Sequence, residues 1–490
     1  MSVLLGTTGV ANAQVVANGS CGTSATWELT GTPPNYTLTI SGTGYMANYS
    51  AGSSTPWNSY RTQMTSVSIS GVTNIGLYAF AGCPSLASVT IPSSVTYISS
   101  YAFQSCSSLT SVTIPSSVTT IDVYAFTGCT SLASVTIPSS VTYIGSGAFR
   151  NCTGLTEINV DAVNANYASV DGVLFNKTKT TLIQYPTGKL GAYTIPSSVT
   201  TIGEFAFSTC TNLASVTIPD GVTTIGTSAF YGCTSLASVT IPSSATTIGS
   251  QAFYNCSGLT EISVEAANAN YASVDGVLFN KTKTTLIQYP AGKQDAAYTI
   301  PSSVTTIRED AFYGCTSLAS ITILSGVTTI GTQAFWNCTS LASVSIPSSV
   351  TTIGSSAFDG CTSLASVTIP SSVTTIGSSA FAYCTGLTRV YNLKPAPQSI
   401  NSDVFYNVPI SNVSLYVIDN TAKAAYSSAP VWQGFKEVLV IVVSATGVTL
   451  DKSVTTLVVG GQETLTPSIA PLTAPTRMLR GAVATRVLLR

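Results

Sequence analysis

The sequence predicts a strand-rich solenoid of stacked short coils with little helix, on three observations. Eleven of the twelve cysteines recur at a spacing of 23 residues, interrupted by two larger gaps. A similar phrase surrounds these cysteines and contains the pattern L-x-x-V-x-I. β-Branched residues dominate, and no amphipathic stretch of helical period runs ten residues inside the array. A fixed period of this length indicates a repeat architecture rather than several compact domains.

One copy of the repeat illustrates how each coil should be built. Side chains alternate along a strand, so Leu236, Val239 and Ile241 should point inward while Ser238 and Thr240 point outward. A period in the twenties with L-x-x-V-x-I is typical of leucine-rich repeats, so the predicted fold is a leucine-rich-repeat solenoid. One such coil cannot bury its apolar surface alone, and neighbouring coils must therefore stack.

The repeated cysteines predict a column of buried, reduced thiols. Stacked coils would orient these sulfurs alike and not towards one another, which disfavours a disulfide ladder. Zinc needs four converging ligands, whereas each coil supplies one cysteine. A disulfide ladder stays the alternative, and Cys21 stands apart from the spacing without an obvious partner. The column comprises Cys83, Cys106, Cys129, Cys152, Cys210, Cys233, Cys256, Cys315, Cys338, Cys361 and Cys384.

Two elongated coils, at about residues 157–193 and 261–298, interrupt the array as near copies of each other. Both contain the phrase Asn-Lys-Thr-Lys-Thr-Thr-Leu-Ile-Gln-Tyr-Pro, which ends at Pro186 and at Pro290. Two extended runs around a polar Lys-Thr turn predict a hairpin. We therefore expect each insertion to add a hairpin-like extension to one coil.

Composition argues against several classes of function. Only 8% of residues are charged and the net charge is −1, so nothing favours binding to nucleic acid. Histidine is absent, which removes His-based acid–base and nucleophile chemistry and the commonest metal ligand. No apolar stretch reaches the roughly 18 residues of a membrane helix. We expect no enzyme, no catalytic, cofactor or metal site, and no membrane insertion.

Three repeated surface features are candidate partner-binding sites. Exposed aromatic columns suit sugar rings or protein hot spots, although rings that merely stack to stiffen the array explain the pattern as well. A ladder of Ser and Thr hydroxyls on the long strands has the plain alternative of solubility with strand propensity. We expect the second insertion to split the second aromatic column and form a notch. The first column is Tyr78, Tyr101 and Tyr124, the second is Tyr231, Tyr254, Tyr313 and Trp336, and the ladder includes Ser238 and Thr240.

These phrases resemble the BspA-type leucine-rich repeats of bacterial surface proteins, over about residues 66–440. The insertion phrase SVDGVLFNKTKTTLIQYP is typical of that family. The resemblance implies an N-terminal cap at residues 14–65, a solenoid at 66–412 and a C-terminal cap at 413–443. Caps are needed because an open solenoid end exposes unpaired strand edges and apolar core.

The two ends of the chain predict further segments. Residues 1–13 combine a short apolar run with Ala11-Asn12-Ala13, a pattern typical of the end of a signal peptide, with a disordered terminus as the alternative. Residues 444–475 resemble the start of a bacterial Ig-like group 2 domain. Residues 476–490 depart from it, and one codon choice for the last eleven residues encodes a typical continuation in a shifted frame. We therefore expect a truncated Ig-like domain followed by an out-of-frame tail.

The resemblance implies an extracellular or cell-surface protein of bacteria that mediates adhesion to host or neighbouring-cell proteins. Long surfaces built from stacked coils supply the area that such binding needs. Two alternatives stay open: a structural spacer or surface-layer element, and a carbohydrate-binding module. The expected partners are extracellular proteins or glycans.

Overall fold

A computed structural model describes residues 14–441, 445–450 and 467–471. Residues 14–441 contain a β-solenoid of about 16 turns with almost no helix, which confirms the predicted strand-rich solenoid. The predicted signal-peptide segment, most of the predicted Ig-like segment and the predicted out-of-frame tail lie outside the described residues.

A regular coil contributes one two-residue strand and, in most coils, one longer strand, and these strands pair in parallel with those of neighbouring coils. The partner residue lies 23 positions further on, as for Val344 with Val367 and for Ile330 with Ile353. Leu236, Val239 and Ile241 are buried while Ser238 and Thr240 are exposed, as the alternation predicts.

The N-terminal region joins the solenoid through its third strand. β1 (Val15–Ser20), β2 (Gly22–Thr32) and β3 (Asn35–Met46) are antiparallel, and β3 pairs in parallel with β4 (Met64–Ile69). The hairpins therefore cover the first coil edge and continue its sheet. Two short 3-10 helices, Gly52–Ser54 and Asn58–Tyr60, connect β3 to β4.

The first group of coils precedes the first insertion. Its short strands form one sheet, and its long strands add to β4 or pair with each other. The strands are β5 (Asn74–Ile75), β6 (Ser88–Thr90), β7 (Tyr97–Ile98), β8 (Thr120–Ile121), β9 (Ser134–Ile137), β10 (Tyr143–Ile144) and β11 (Glu157–Val160).

The first elongated coil adds a three-stranded antiparallel unit, as the predicted hairpin requires. It consists of β12 (Tyr167–Val170), β13 (Val173–Asn176) and β14 (Thr181–Gln184), after which β15 (Gly191–Thr194) restarts the long-strand sheet. Five strands make up the coils that follow, and β14 pairs in parallel with the first of them. They are β16 (Thr201–Ile202), β17 (Leu213–Thr217), β18 (Thr224–Ile225), β19 (Ser238–Ile241) and β20 (Thr247–Ile248).

The second elongated coil repeats the arrangement of the first. Its antiparallel unit again passes into the short-strand sheet, while the long-strand sheet restarts beside it. Its strands are β21 (Glu261–Val264), β22 (Tyr271–Val274), β23 (Val277–Asn280), β24 (Thr285–Gln288) and β25 (Ala297–Thr299).

The third group of coils forms two seven-stranded sheets together with the second insertion and the C-terminal region. Its regular pairing continues without interruption to the end of the array. The strands are β26 (Thr306–Ile307), β27 (Ser320–Thr322), β28 (Thr329–Ile330), β29 (Ser343–Ser345), β30 (Thr352–Ile353), β31 (Ser366–Ile369), β32 (Thr375–Ile376) and β33 (Arg389–Asn392).

The predicted C-terminal cap continues the long-strand sheet. β34 (Ser414–Val417) and β35 (Glu437–Val440) pair in parallel, and α1 (Asn420–Tyr426) connects them together with a 3-10 helix at Trp432–Gly434. Buried Trp432 stacks on Phe435, so aromatic rings close the last coil. A further 3-10 helix, Ile410–Asn412, precedes β34, and β36 (Ala445–Leu450) pairs antiparallel with β37 (Pro467–Pro471).

The apolar interior is divided by the insertions. The buried residues fall into three clusters, which meet where the first and the second elongated coil leave the regular array. We therefore call the two junctions the first seam, where Ile144–Phe149 faces Gly203–Phe205, and the second seam, where Ile248–Phe253 faces Arg308–Asp310.

Candidate functional site

The turn containing the Ala-Phe pair sets the geometry of every candidate column. The Phe rings enter the interior and stack from coil to coil, with ring centroids 5.1 Å apart for Phe103 and Phe126. The Phe103 amide donates to the carbonyl of Ala125 in the next coil at 2.8 Å. The residue before Ala adopts a left-handed backbone conformation, as at Tyr101 with φ 58°. This conformation repeats along the array, so side chains at this position point alike.

The cysteine column lies directly beside the Phe stack. All twelve cysteines are buried and free, which agrees with the prediction for the eleven of the column. Within the column, a thiol donates to the Phe carbonyl of the preceding coil, at 3.1 Å from Cys233 Sγ to Phe207 and 3.0 Å from Cys384 Sγ to Phe358. Burial raises the pKa of Cys233 well above its ordinary value, so the thiolate that attacks or binds metal is disfavoured.

The first aromatic column stacks as a continuous row. Tyr78 and Tyr101 have ring centroids 4.7 Å apart, and Tyr101 and Tyr124 are 5.1 Å apart. The row continues to Phe205 beyond the first insertion, at 5.7 Å from Tyr124. All three tyrosines are half-buried, so part of each residue stays accessible.

The second aromatic column is also continuous, and the expected split at the second insertion is wrong. Tyr254 and Tyr313 flank that insertion, yet their ring centroids are only 3.5 Å apart. The insertion projects beside the short strands, so the Ala-Phe turns on either side of it remain in contact. Tyr231 and Trp336 extend the row at 4.9 and 4.5 Å. Tyr254 and Tyr313 are 7% and 8% exposed, so only Tyr231 and Trp336 offer much ring surface.

Arg150 joins the two columns at the first seam. Its guanidinium lies 4.6 Å from the Phe205 ring centroid and 4.9 Å from that of Tyr231. Its Nε also donates to Ser208 Oγ at 3.0 Å. This link was not predicted from the sequence, although Arg150 occupies the same position after the Ala-Phe pair as Tyr231. The two columns therefore form one row with a cation in the middle.

The hydroxyl ladder lies on the outer face of the long strands. Ser238 and Thr240 are exposed. Ser238 pairs with Glu261 in the next coil, so a carboxylate replaces the hydroxyl at that point of the ladder. Its C-terminal end carries a feature that the sequence analysis missed. Tyr391 and Tyr416 occupy the ladder positions of β33 and β34, and their rings stack at 4.8 Å.

Charged residues flank this tyrosine pair. Exposed Arg389 and Glu437 lie on either side of Ser414 in the same row, and Ser414 Oγ donates to the Glu437 carboxylate at 2.8 Å. We call Arg389, Tyr391, Ser414, Tyr416 and Glu437 the terminal patch. The register of β33 to β35 would have revealed it, but these coils lack the cysteine spacing that aligns the others.

The described residues contain neither a metal-ligand cluster nor a membrane-spanning helix. Within them, no group of three or more Cys, Asp or Glu side chains could hold a metal ion. Across the same ranges, no helix has the length and apolar character needed to cross a membrane.

Comparison with solved structures and with curated proteins gives the following relationships. A leucine-rich repeat protein from Eubacterium ventriosum is 30% identical, with a TM-score of 0.51, covering 76% of this chain and 95% of its own. A leucine rich cell surface protein from Faecalibacterium prausnitzii is 27% identical, with a TM-score of 0.41, and the match covers 88% of this chain and 95% of that protein. The pneumococcal vaccine antigen PcpA is 21% identical, with a TM-score of 0.42, and the match covers 88% of this chain and 99% of PcpA. No curated protein gives a significant match.

A family model covers most of the solenoid. The model described as "BspA type Leucine rich repeat region" matches residues 59–181, 184–297 and 295–412, in six copies. These matches span more than half of the chain and both elongated coils. The chain therefore belongs to the BspA-type leucine-rich repeat family.

Proposed function

We propose that this protein acts at the bacterial cell surface or in secreted form as an adhesin that binds other extracellular proteins. The terminal patch carries this proposal. It places two stacked, half-buried tyrosines beside a row of Arg389, Ser414 and Glu437 on the outer face of a continuous sheet. Tyr and Arg are residue types that contribute most to binding energy at protein interfaces, whereas Ser and Thr contribute little.

The two aromatic columns take a different role in this proposal. Tyr254 and Tyr313 bury nearly all of their surface against neighbouring rings, which leaves little for a partner. This burial favours the structural interpretation for the middle of the row Tyr231, Tyr254, Tyr313 and Trp336. The hydroxyl ladder then serves as a soluble, inert surface that leads to the terminal patch.

Two double variants test the proposal against immobilised fibronectin and fibrinogen, with affinity and melting temperature measured for each. Tyr391→Ala with Tyr416→Ala should weaken binding at least tenfold, because it removes the aromatic contact area, with little loss of stability. Tyr313→Ala with Trp336→Ala should lower the melting temperature and leave the affinity per folded molecule unchanged.

Ser238→Ala with Thr240→Ala is the matched control, since it alters the same sheet face in the middle of the array. It should change neither quantity measurably. Equal binding by all variants and wild type would contradict the patch assignment. Failure of the wild type to bind any protein, together with binding to immobilised glycans, would favour the carbohydrate-binding alternative.

A further inference from the structure

The first seam contains an open cleft of about 200 Å³. It lies where the coil before the first insertion faces the coil after it, with the inserted strands β13 and β14 along one side. Its lining includes Ser146, Gly147, Phe149, Leu174, Ile183, Gly203 and Glu204.

The cleft combines an apolar floor with one acidic group at its rim. Phe149 and Leu174 are fully buried beneath it, and Ile183 is half-buried. Exposed Glu204 accepts a hydrogen bond from Ser146 Oγ at 2.9 Å. Among the described side chains, no Lys or Arg nitrogen lies within 4 Å of the Glu204 carboxylate, because the one ion pair there joins Lys293 to Asp295. Arg150, at the same seam, donates to Ser208 instead and covers the Phe205 ring.

The second seam shows that the insertion does not create this cleft by itself. The corresponding space there is only about 10 Å³, although the inserted strands are near copies. Gln251 and Arg308 stand where the first seam has Gly147 and Gly203, and both line the closed site. Gln251 also donates to the Asp310 carboxylate at 3.2 Å, which ties the two sides together.

The corresponding isoleucines of the two inserted units also differ in exposure. Ile183 is half-buried, whereas its counterpart Ile287 is buried in the core. A side chain at Gly147 would place its Cβ 2.5 Å from the Tyr124 ring. The open cleft therefore depends on two glycines beside a tyrosine, not on the shape of the hairpin.

We propose that the first-seam cleft binds an aliphatic primary ammonium, as carried by a lysine side chain. The apolar floor takes the methylene chain, since such stems bury readily while the charged end stays at the surface. The Glu204 carboxylate at the rim receives the ammonium and forms charge-assisted hydrogen bonds with it. Five heavy atoms beyond the lysine Cα fit the available volume. The inference is independent of the proposed function, because a small probe tests it without a macromolecular partner.

The probe is Nα-acetyl-lysine N-methylamide, titrated into the full chain and followed by calorimetry and chemical-shift changes. The wild type should bind it at one site, and Glu204→Gln should weaken binding at least tenfold. Nα-acetyl-norleucine N-methylamide, which lacks the ammonium, should also bind at least tenfold more weakly. No saturable binding at the highest soluble concentration, or equal binding of both probes, would overturn the proposal.

Exchange of the seam residues provides the matched control. Gly203→Arg should abolish binding by filling the cleft, whereas Arg308→Gly with Gln251→Gly should open the second seam and add a second site. Each variant's melting temperature shows that it is folded. Should Gly203→Arg fail to fold, the second-seam pair and Glu204→Gln still decide. Binding of glucose in place of the lysine probe would instead identify the cleft as a sugar site and refute this assignment.

Discussion

The two elongated coils are nearly identical inside and differ at their borders. In both, a fully buried asparagine organises the start of the inserted hairpin. Asn164 Nδ2 donates to the carbonyls of Pro138 and Val141 at 2.8 and 3.1 Å. Asn268 does the same to Pro242 and Ala245 at 2.7 and 3.1 Å. The inserted unit is therefore a fixed structural block.

The borders differ because they belong to the flanking coils and not to the inserted unit. The first seam has Arg150 beside Phe205, with an open cleft, whereas the second has Tyr254 against Tyr313, with a buried carboxylate at Asp310. The differences between the two elongated coils are therefore concentrated in the Ala-Phe turns that flank them. Three predictions test this division.

The largest loss of stability is expected from replacing the buried asparagine that both elongated coils share. Asn164→Ala and Asn268→Ala should each destabilise by about 3 kcal/mol, because several buried backbone groups lose their partner. The two values should agree closely, since the bonding is the same. Urea unfolding with amide exchange measures both, and exposed Asn159→Ala is the control, expected to be nearly neutral. A difference of more than about 1 kcal/mol between the two asparagines would break the claim of equivalence.

A smaller effect on stability should depend on pH at the second seam but not at the first. Burial raises the pKa of Asp310 from 3.8 to about 6, and its Oδ1 has no hydrogen-bond partner within the described structure. The folded protein then binds this proton more tightly than the unfolded chain does. Stability therefore falls as the pH rises from 3.8 to about 6 and stays lower above it.

Asp310→Asn should remove this loss, worth at most about 3 kcal/mol, so that the variant gains stability over wild type near neutral pH but not near about pH 4. Urea midpoints at both pH values give the comparison. The first seam carries Phe205 at the corresponding position, so Phe205→Leu should change stability equally at both pH values. An identical pH profile for wild type and Asp310→Asn would contradict the expected role of this carboxyl.

The smallest effect is the difference in stability between replacing a cysteine next to a seam and replacing one inside a regular run of coils. Cys233 Sγ lies 3.1 Å from the Phe207 carbonyl, whereas Cys210, the first cysteine after the first insertion, lies 4.0 Å from that of Tyr185. Cys233→Ala should cost about 1 kcal/mol or somewhat more, and Cys210→Ala a few tenths less.

Thermal or urea unfolding of both cysteine variants checks the difference, and binding should be unaffected in each. Titration of the denatured protein should find twelve free thiols with or without reductant. A shortfall of about ten thiols without reductant would instead indicate a disulfide ladder.

The sequence carried most of the fold because its inward and outward positions repeat with one period. Leu236, Val239 and Ile241 occupy positions whose burial follows from strand alternation alone. Two features could not be inferred in this way. Tyr254 and Tyr313 are 59 residues apart, and their contact depends on which side of the coil the insertion leaves. The cleft at the first seam depends on glycines that look ordinary in the sequence.

The thiol–carbonyl bonds give the array a direction. Each one runs from a coil back to its predecessor, while inside the regular runs the Phe amide donates forward to the next coil, as from Phe103 to Ala125. A coil therefore presents different chemistry on its two edges, and no coil can be turned over and still fit. New coils can enter only head to tail, by duplication in frame with the 23-residue period. The two ends of the array must accordingly be finished differently, by antiparallel hairpins at one and by a short helix with aromatic rings at the other.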